Sequence, residues 1–400
     1  MRRALTVVSL ICTFAMLLVA CSTDEPTGNK PSTPEPKPEP KPLTESHTLI
    51  VCMQGDNGLA EFMDLNLQRI LASYYDIPTG IGRVVVFYDR GNYTRLTELY
   101  IDDGMVKQRL IKEYNTHTAT TDKAFFKEML ALAAAEAPAD SYGLILSSHG
   151  GGWVPAELYD SYVLGEGTRG SEPIAHPQFY GQDGADCMEI PELAEAIDTL
   201  DFNYILFDAC FMGNIEALYD LRHTADYIIA SPAEVLGTGF PYEKIIPMLF
   251  EYDDHSLEAV CEEFMAMYRE SSGTITLVDC SKLDALADAV ASVYAACGEQ
   301  PTVDATAVQA YEHFDYHLYF DLGHYIESIA DATSLARFDK ALDEALLYVG
   351  NSPTILSSTG AGAISLNRHS GLTTYVYQPS CPETYAAWRA TAWAQRVLGL

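Results

Sequence analysis

The chain has 400 residues, and 56 acidic against 24 basic side chains give it a formal net charge of −32. Such a chain is a poor partner for nucleic acid or an anionic lipid surface, whereas basic peptides are drawn to it. Hydrophobic residues make up 48%, enough for a packed core, so the body is not a disordered chain.

Residues 1–20 come first. Arg2 and Arg3 precede an apolar stretch that is short for a membrane helix, and Leu18-Val19-Ala20 gives the small-residue approach of a bacterial export signal to Cys21. The Leu-Val-Ala-Cys end resembles the lipobox of bacterial lipoproteins, in which cleavage leaves the Cys as a diacylated N-terminus. On that reading Cys21 is the lipidation site and membrane anchor. Removing residues 1–20 takes away two Arg and no acid, so the charge goes from −32 to about −34. The alternative is an ordinary secretory signal, and both readings exclude the cytoplasm. Residues 21–45, rich in Pro, Glu and Lys, read as a solvated tether. Asp24 and Glu25 beside the anchor resemble surface-export signals of some Gram-negative lipoproteins. The expected location is therefore the cell envelope, lipid-anchored at the outer membrane or cell surface, with an anchored monomer as the simplest assembly.

From residue 46, β-branched runs at 47–53, 83–88, 142–148, 203–207 and 226–230 alternate with helical patterns at 58–74, 122–137, 190–199 and 213–222. Alternation of this kind predicts an α/β domain over 46–245, a mainly parallel sheet flanked by helices. The loop 151–189 is long and rich in Gly, Pro and Tyr, so it is expected to be functional. Helical patterns at 256–269, 281–297 and 335–348, a strand at 274–278 and a late strand pair near 362–367 and 373–377 predict a C-terminal α/β subdomain over 246–400. Without Cys12 and Cys21 the nine cysteines reduce to Cys52, Cys187, Cys210, Cys261, Cys280, Cys297 and Cys381. None forms a close C-x-x-C pair, and buried free thiols are the default for most of them.

Reactive groups of open parallel sheets gather past the carboxyl ends of strands. Two such ends stand out: one strand runs into Ser148-His149-Gly150-Gly151-Gly152-Trp153, the other into Asp208-Ala209-Cys210-Phe211-Met212-Gly213. If the two strands are neighbours, imidazole and thiol face one cleft. An imidazole beside a thiol lowers its pKa, takes its proton and later protonates the leaving amine. A helix start after Cys210 would favour the thiolate further. The N–H groups of Gly150 and Cys210 would form an oxyanion hole worth about 3 kcal/mol per donor. Alone, His149 reads as a structural histidine and Cys210 as a buried thiol; their shared position makes them a candidate catalytic dyad.

These motifs resemble the clostripain family of cysteine peptidases, relatives of gingipains and caspases. Gln54-Gly55-Asp56-Asn57, the stretch from Ala230-Ser231-Pro232 to Gly239-Phe240-Pro241, and Ser370-Gly371-Leu372-Thr373-Thr374-Tyr375 resemble family landmarks in the same order. The resemblance implies a caspase-like fold, His149 as general base, Cys210 as nucleophile and cleavage after Arg or Lys. It maps the acid of the primary specificity pocket onto Asp208, which period-two geometry puts on the side of Cys210. Many relatives carry further acids after the strand ending at Ser231, where this chain has Pro232-Ala233-Glu234. Family zymogens are often cut between the His and Cys strands, and Arg169 is the basic residue that loop offers, so self-cleavage after Arg169 is expected.

No metal site and no cofactor are assigned. His313 and His317, four apart, lack a third ligand, and Asp183, Asp186 and Glu189 lack the spacing of a calcium motif, although some relatives use calcium. The expected partners are protein or peptide substrates with basic residues. The rival reading is a non-catalytic surface lipoprotein that binds peptides or glycans on the same fold.

Overall fold

Aliphatic runs with no polar face must be covered on both sides, and those at 47–54 and 141–147 lie in the middle of a nine-stranded sheet. The computed structural model describes residues 46–155, 180–184, 186–251, 253–314, 316–358 and 362–400. The expected signal, Cys21 and the tether lie outside the described residues. In chain order the strands are β1 (His47–Gln54), β2 (Gly82–Asp89), β3 (Thr94–Asp102), β4 (Met105–Tyr114), β5 (Ser141–Ser147), β6 (Tyr180–Asp183), β7 (Asp186–Met188), β8 (Phe202–Asp208), β9 (Ala225–Ala230), β10 (Thr274–Asp279), β11 (Phe320–Asp321), β12 (Leu346–Asn351), β13 (Thr354–Leu356), β14 (Ala363–Ser365) and β15 (Thr373–Thr374).

The large sheet runs β12-β10-β9-β8-β5-β1-β2-β3-β4. Its centre, β9-β8-β5-β1-β2, is parallel, and antiparallel pairs extend it on both sides. Period two divides each strand between two cores. From β1, Leu49, Val51 and Met53 pack under the helices Ala60–Ser73, Tyr242–Met248 and Asp254–Tyr268. Ile50 and Cys52 face the opposite layer, with the helices Lys123–Glu136, Ile190–Ile197, Ile215–Leu221 and Leu283–Cys297. Caps fix where these helices begin: Asp122 accepts the Phe125 N–H at 2.8 Å, worth about 1 kcal/mol. Ile145 on β5 is fully buried, and truncating it to Ala would cost about 2–5 kcal/mol beneath the site.

Three expectations change. The boundary at 245 falls inside one compact unit, because β10 and β12, both beyond it, hydrogen-bond onto β9 and extend the same sheet. The helix expected over 335–348 ends at Ala345, and its last residues belong to β12, which continues the apolar run Leu346-Leu347-Tyr348 without a turn signal. The late strands do not pair with each other: β14 pairs with β13, and β15 with β11.

Candidate active site

β5 and β8 are parallel neighbours with Ser147 opposite Asp208. His149 and Cys210 each stand two residues past that matched pair, so the strands deliver imidazole and thiol to the same level. The ends stay joined beyond the ladder, because the Ser148 N–H donates to the Asp208 carbonyl at 3.3 Å. Ser148 also anchors the His loop outward: its hydroxyl donates to the Gln54 carbonyl at 2.8 Å and accepts the Gln182 N–H at 3.1 Å. The Gly181 N–H donates to the His149 carbonyl at 3.0 Å, tying the loop to the β6–β7 hairpin.

Gly150 rides directly on the Cys loop. A Cβ there would stand 2.7 Å from the Cys210 carbonyl oxygen and 2.9 Å from the Ala209 Cβ, so contact with the nucleophile's backbone, rather than room for substrate, demands glycine. No described residue accepts the N–H of Gly150 or of Cys210. His149, Cys210 and Asp208 line one cleft of about 570 Å³, whose apolar wall includes Phe62, Met63 and Leu236.

Cys210 is half-buried. Its Sγ accepts the Val235 N–H at 3.3 Å and lies 3.7 Å from the Val235 carbonyl oxygen. Burial pushes the thiol up to about 12, the Glu234 and Asp208 carboxylates add to the rise, and the Val235 N–H pulls the other way. These surroundings oppose ionisation of the thiol in the empty cleft. The expected helix-dipole contribution is not made at Cys210: the helix begins at Ile215, and Asn214 caps it by accepting the Ala217 N–H at 3.2 Å. Phe211, directly after the nucleophile, has φ of 57°, a left-handed conformation that costs a bulky residue about 1–2 kcal/mol. Its N–H is held by the Ala233 carbonyl at 3.0 Å, and that of Gly213 by Ser231 at 2.7 Å.

Asp208 is 8% exposed and ends β8 on the side of the helix Tyr242–Met248. Its Oδ2 accepts the Tyr242 hydroxyl at 2.7 Å and the Ser147 hydroxyl at 3.2 Å. Burial raises the carboxyl to about 6 despite both bonds. Gly239, with φ of 63°, lets the chain pass the acid, since a Cβ would sit 2.5 Å from Asp208 Oδ2. Glu234, which the sequence reading did not assign to the site, lines the same cleft. Its carboxylate accepts the Ser358 N–H at 2.9 Å and the Ser357 hydroxyl at 3.1 Å, and burial raises its pKa. The signal was an acid four residues after the end of β9, at the place where relatives carry acids.

Arg169 lies outside the described residues. His313 and His317 share no helix; they lie in an irregular segment where His317 Nδ1 meets Glu312 Oε2 at 2.6 Å. Asp183 accepts the Thr120 N–H at 2.7 Å, and Asp186 is exposed on β7. Among the described residues, no group of three or more His, Cys, Asp or Glu side chains is placed to hold a metal ion. Nor is any described helix long and apolar enough to cross a membrane.

Fold and site together define a cysteine protease scaffold: an α/β sheet carrying His and Cys at adjacent strand ends over one cleft. The chain belongs to the clostripain family, whose model matches residues 51–391. It is 24% identical to the clostripain of Hathewaya histolytica over 231 residues, 50% of this chain and 41% of that one, so the match spans under half of that relative's length. An inactive zymogen C11 protease from Parabacteroides distasonis superimposes with a TM-score of 0.79 at 27% identity, over 89% of this chain and 99% of that one. A secreted C11 cysteine protease from Bacteroides thetaiotaomicron, solved with an irreversible peptide inhibitor, gives 0.76 at 26% identity over 88% and 98%.

Proposed function

We propose that this chain is an endopeptidase that cleaves after Arg or Lys, with His149 and Cys210 as its dyad. The matched strand ends that bring both residues and Asp208 to one cleft are the observation that carries this reading. His149 takes the Sγ proton as sulfur attacks the substrate carbonyl carbon; the carbonyl π electrons move onto oxygen, which the Gly150 and Cys210 N–H groups stabilise. Collapse expels the amine, protonated by His149, and leaves a thioester. Water, deprotonated by His149, then releases the acid and restores the thiol. Asp208 at the cleft wall supplies the charge for a guanidinium or ammonium at the residue before the scissile bond, and Glu234 lines the same space.

In this reading the chain processes itself after Arg169 and is held at the cell envelope by lipid on Cys21, as an anchored monomer. The Leu-Val-Ala-Cys end and the glycine-flanked sequence Gly167-Thr168-Arg169-Gly170 support those two steps. The test is hydrolysis of Arg, Lys and neutral fluorogenic peptides by residues 46–400, beside Cys210→Ala, with intact mass followed over time. Activity and a cut after Arg169, both lost in the variant, are expected. A trypsin-treated, folded wild type that cleaves no basic peptide overturns the specificity, and equal cutting in both proteins overturns self-processing.

A further inference from the structure

The His loop continues beyond His149 into a run of three glycines, Gly150 to Gly152, which has no side chain to hold it and a large conformational entropy to lose. Its position is nevertheless defined against the Cys loop. A Cβ on Gly152 would lie 2.7 Å from the Phe211 carbonyl oxygen and 3.4 Å from Tyr319 Cε1. Tyr319, fully buried and remote in sequence, touches both loops. Its hydroxyl donates to the Gly151 carbonyl, two residues from His149. Its ring stacks on Phe211, the residue after Cys210, with centroids 4.2 Å apart and planes 10° from parallel.

Tyr319 is itself fixed by a buried acid. Glu312 is 1% exposed, and its Oε1 accepts the N–H groups of Leu318 at 2.8 Å and Tyr319 at 3.1 Å. Its Oε2 accepts the Phe314 N–H at 3.2 Å and meets His317 Nδ1 at 2.6 Å. The same turn reaches the His loop again, because Trp153 Nε1–H donates to the Leu318 carbonyl at 3.4 Å. A buried carboxyl group that accepts three backbone N–H groups and meets one imidazole between residues 314 and 319 holds a rigid turn.

We propose that Tyr319 is a positioning residue for the dyad: its hydroxyl and ring set the His149 loop against the Cys210 loop, and Glu312 holds it in place. This rests on the assignment of His149 and Cys210 as the dyad. Neither Tyr319 nor Glu312 touches substrate; they act through the two loops. Geometry of this kind matters because a displacement of about 1 Å between reacting groups costs about 100-fold in rate.

The test uses the full chain with Tyr319→Phe, Tyr319→Leu and His149→Ala. Iodoacetamide alkylation of Cys210 is followed by peptide mass mapping, together with kcat, KM and thermal unfolding; alkylation reads the dyad whether or not the chain has been processed. Tyr319→Phe keeps the stack and loses the hydrogen bond, so kcat and the alkylation rate should fall together by about tenfold, with KM unchanged within about twofold. Tyr319→Leu should lower both by about 100-fold. Unchanged kcat and alkylation beside a lowered unfolding temperature overturn the proposal and leave Tyr319 a packing residue. Should His149→Ala leave Cys210 as reactive as before, the dyad falls and the proposal with it; should His149→Ala slow alkylation and both Tyr319 variants not, the positioning role alone falls.

Discussion

Replacing Asp208 by Asn removes one charge and keeps the shape and the acceptor oxygen that Tyr242 and Ser147 use. Burial raises the carboxyl to about 6 against the two hydrogen bonds it accepts, so its ionised form is disfavoured in the empty cleft. At pH 7.5 it is nevertheless ionised, and a substrate guanidinium recovers that cost on binding. Losing this charge should lower kcat/KM for an Arg peptide by about 30- to 100-fold, equivalent to about 2–3 kcal/mol. A peptide with a neutral residue at the same place should lose none of its rate. Stability moves the other way. A carboxyl raised in the folded state contributes stability that is complete below pH 3.8 and lost as pH rises to about 6, so the Asn variant lacks that decline and melts no lower than wild type at pH 7.5. The assay is paired steady-state kinetics on Arg and neutral peptides, with thermal melts from pH 4 to 8. Equal losses on both peptides, or an unchanged Arg peptide, would refute Asp208 as the specificity acid.

Gly150→Ala forces the Cβ against the Cys210 carbonyl oxygen at 2.7 Å, and kcat should drop about 100-fold with the fold retained; full activity would mean the His loop has room to shift. Glu216→Ala strips the acceptor from Thr374 Oγ1, the Tyr375 N–H and Trp388 Nε1, and urea unfolding at pH 7 should show a loss of about 2–5 kcal/mol, at about 1–3 kcal/mol for each donor left without a partner. A loss below about 1 kcal/mol would show that the C-terminal segment stays docked without this clasp.

The alternation of apolar runs and helical patterns foretold the parallel centre of the sheet, and the glycine run after one strand and the cysteine after another marked two strand ends that line one cleft. β3 and β4 escaped notice because their pattern is not that of a buried strand. β4 buries none of its residues, and its Lys107, Arg109, Lys112 and Glu113 read as a solvated segment. β12 was hidden by the opposite fault, an apolar run that extends the preceding helix in sequence. The proposed specificity acid, Asp208, came from the family resemblance, and period two along the strand agreed by placing it on the side of Cys210. Glu234 was noticed only as a departure, since a loop has no periodicity to say which way its side chain points. Tyr319 left no local trace at all: its partners Gly151 and Phe211 lie more than a hundred residues away.

On the proposed specificity, the acids around Cys210 would connect substrate choice to chemistry. Glu234 and Asp208 both help hold the thiol up, at about 12 in the resting cleft, after burial itself. A basic side chain that enters between them pairs with the same charges, so it removes two causes of the rise while it binds. The thiol should therefore ionise more readily with an Arg peptide in place than in the free protein. Two titrations compare the states: the pH dependence of Cys210 alkylation reports the free thiol, and the pH dependence of kcat on an Arg peptide reports the complex. The ionisation seen in kcat is expected at lower pH than the one seen by alkylation, and Asp208→Asn should narrow the gap by lowering the alkylation value. Coincident titrations in the wild type would mean that the acids select the substrate without tuning the nucleophile.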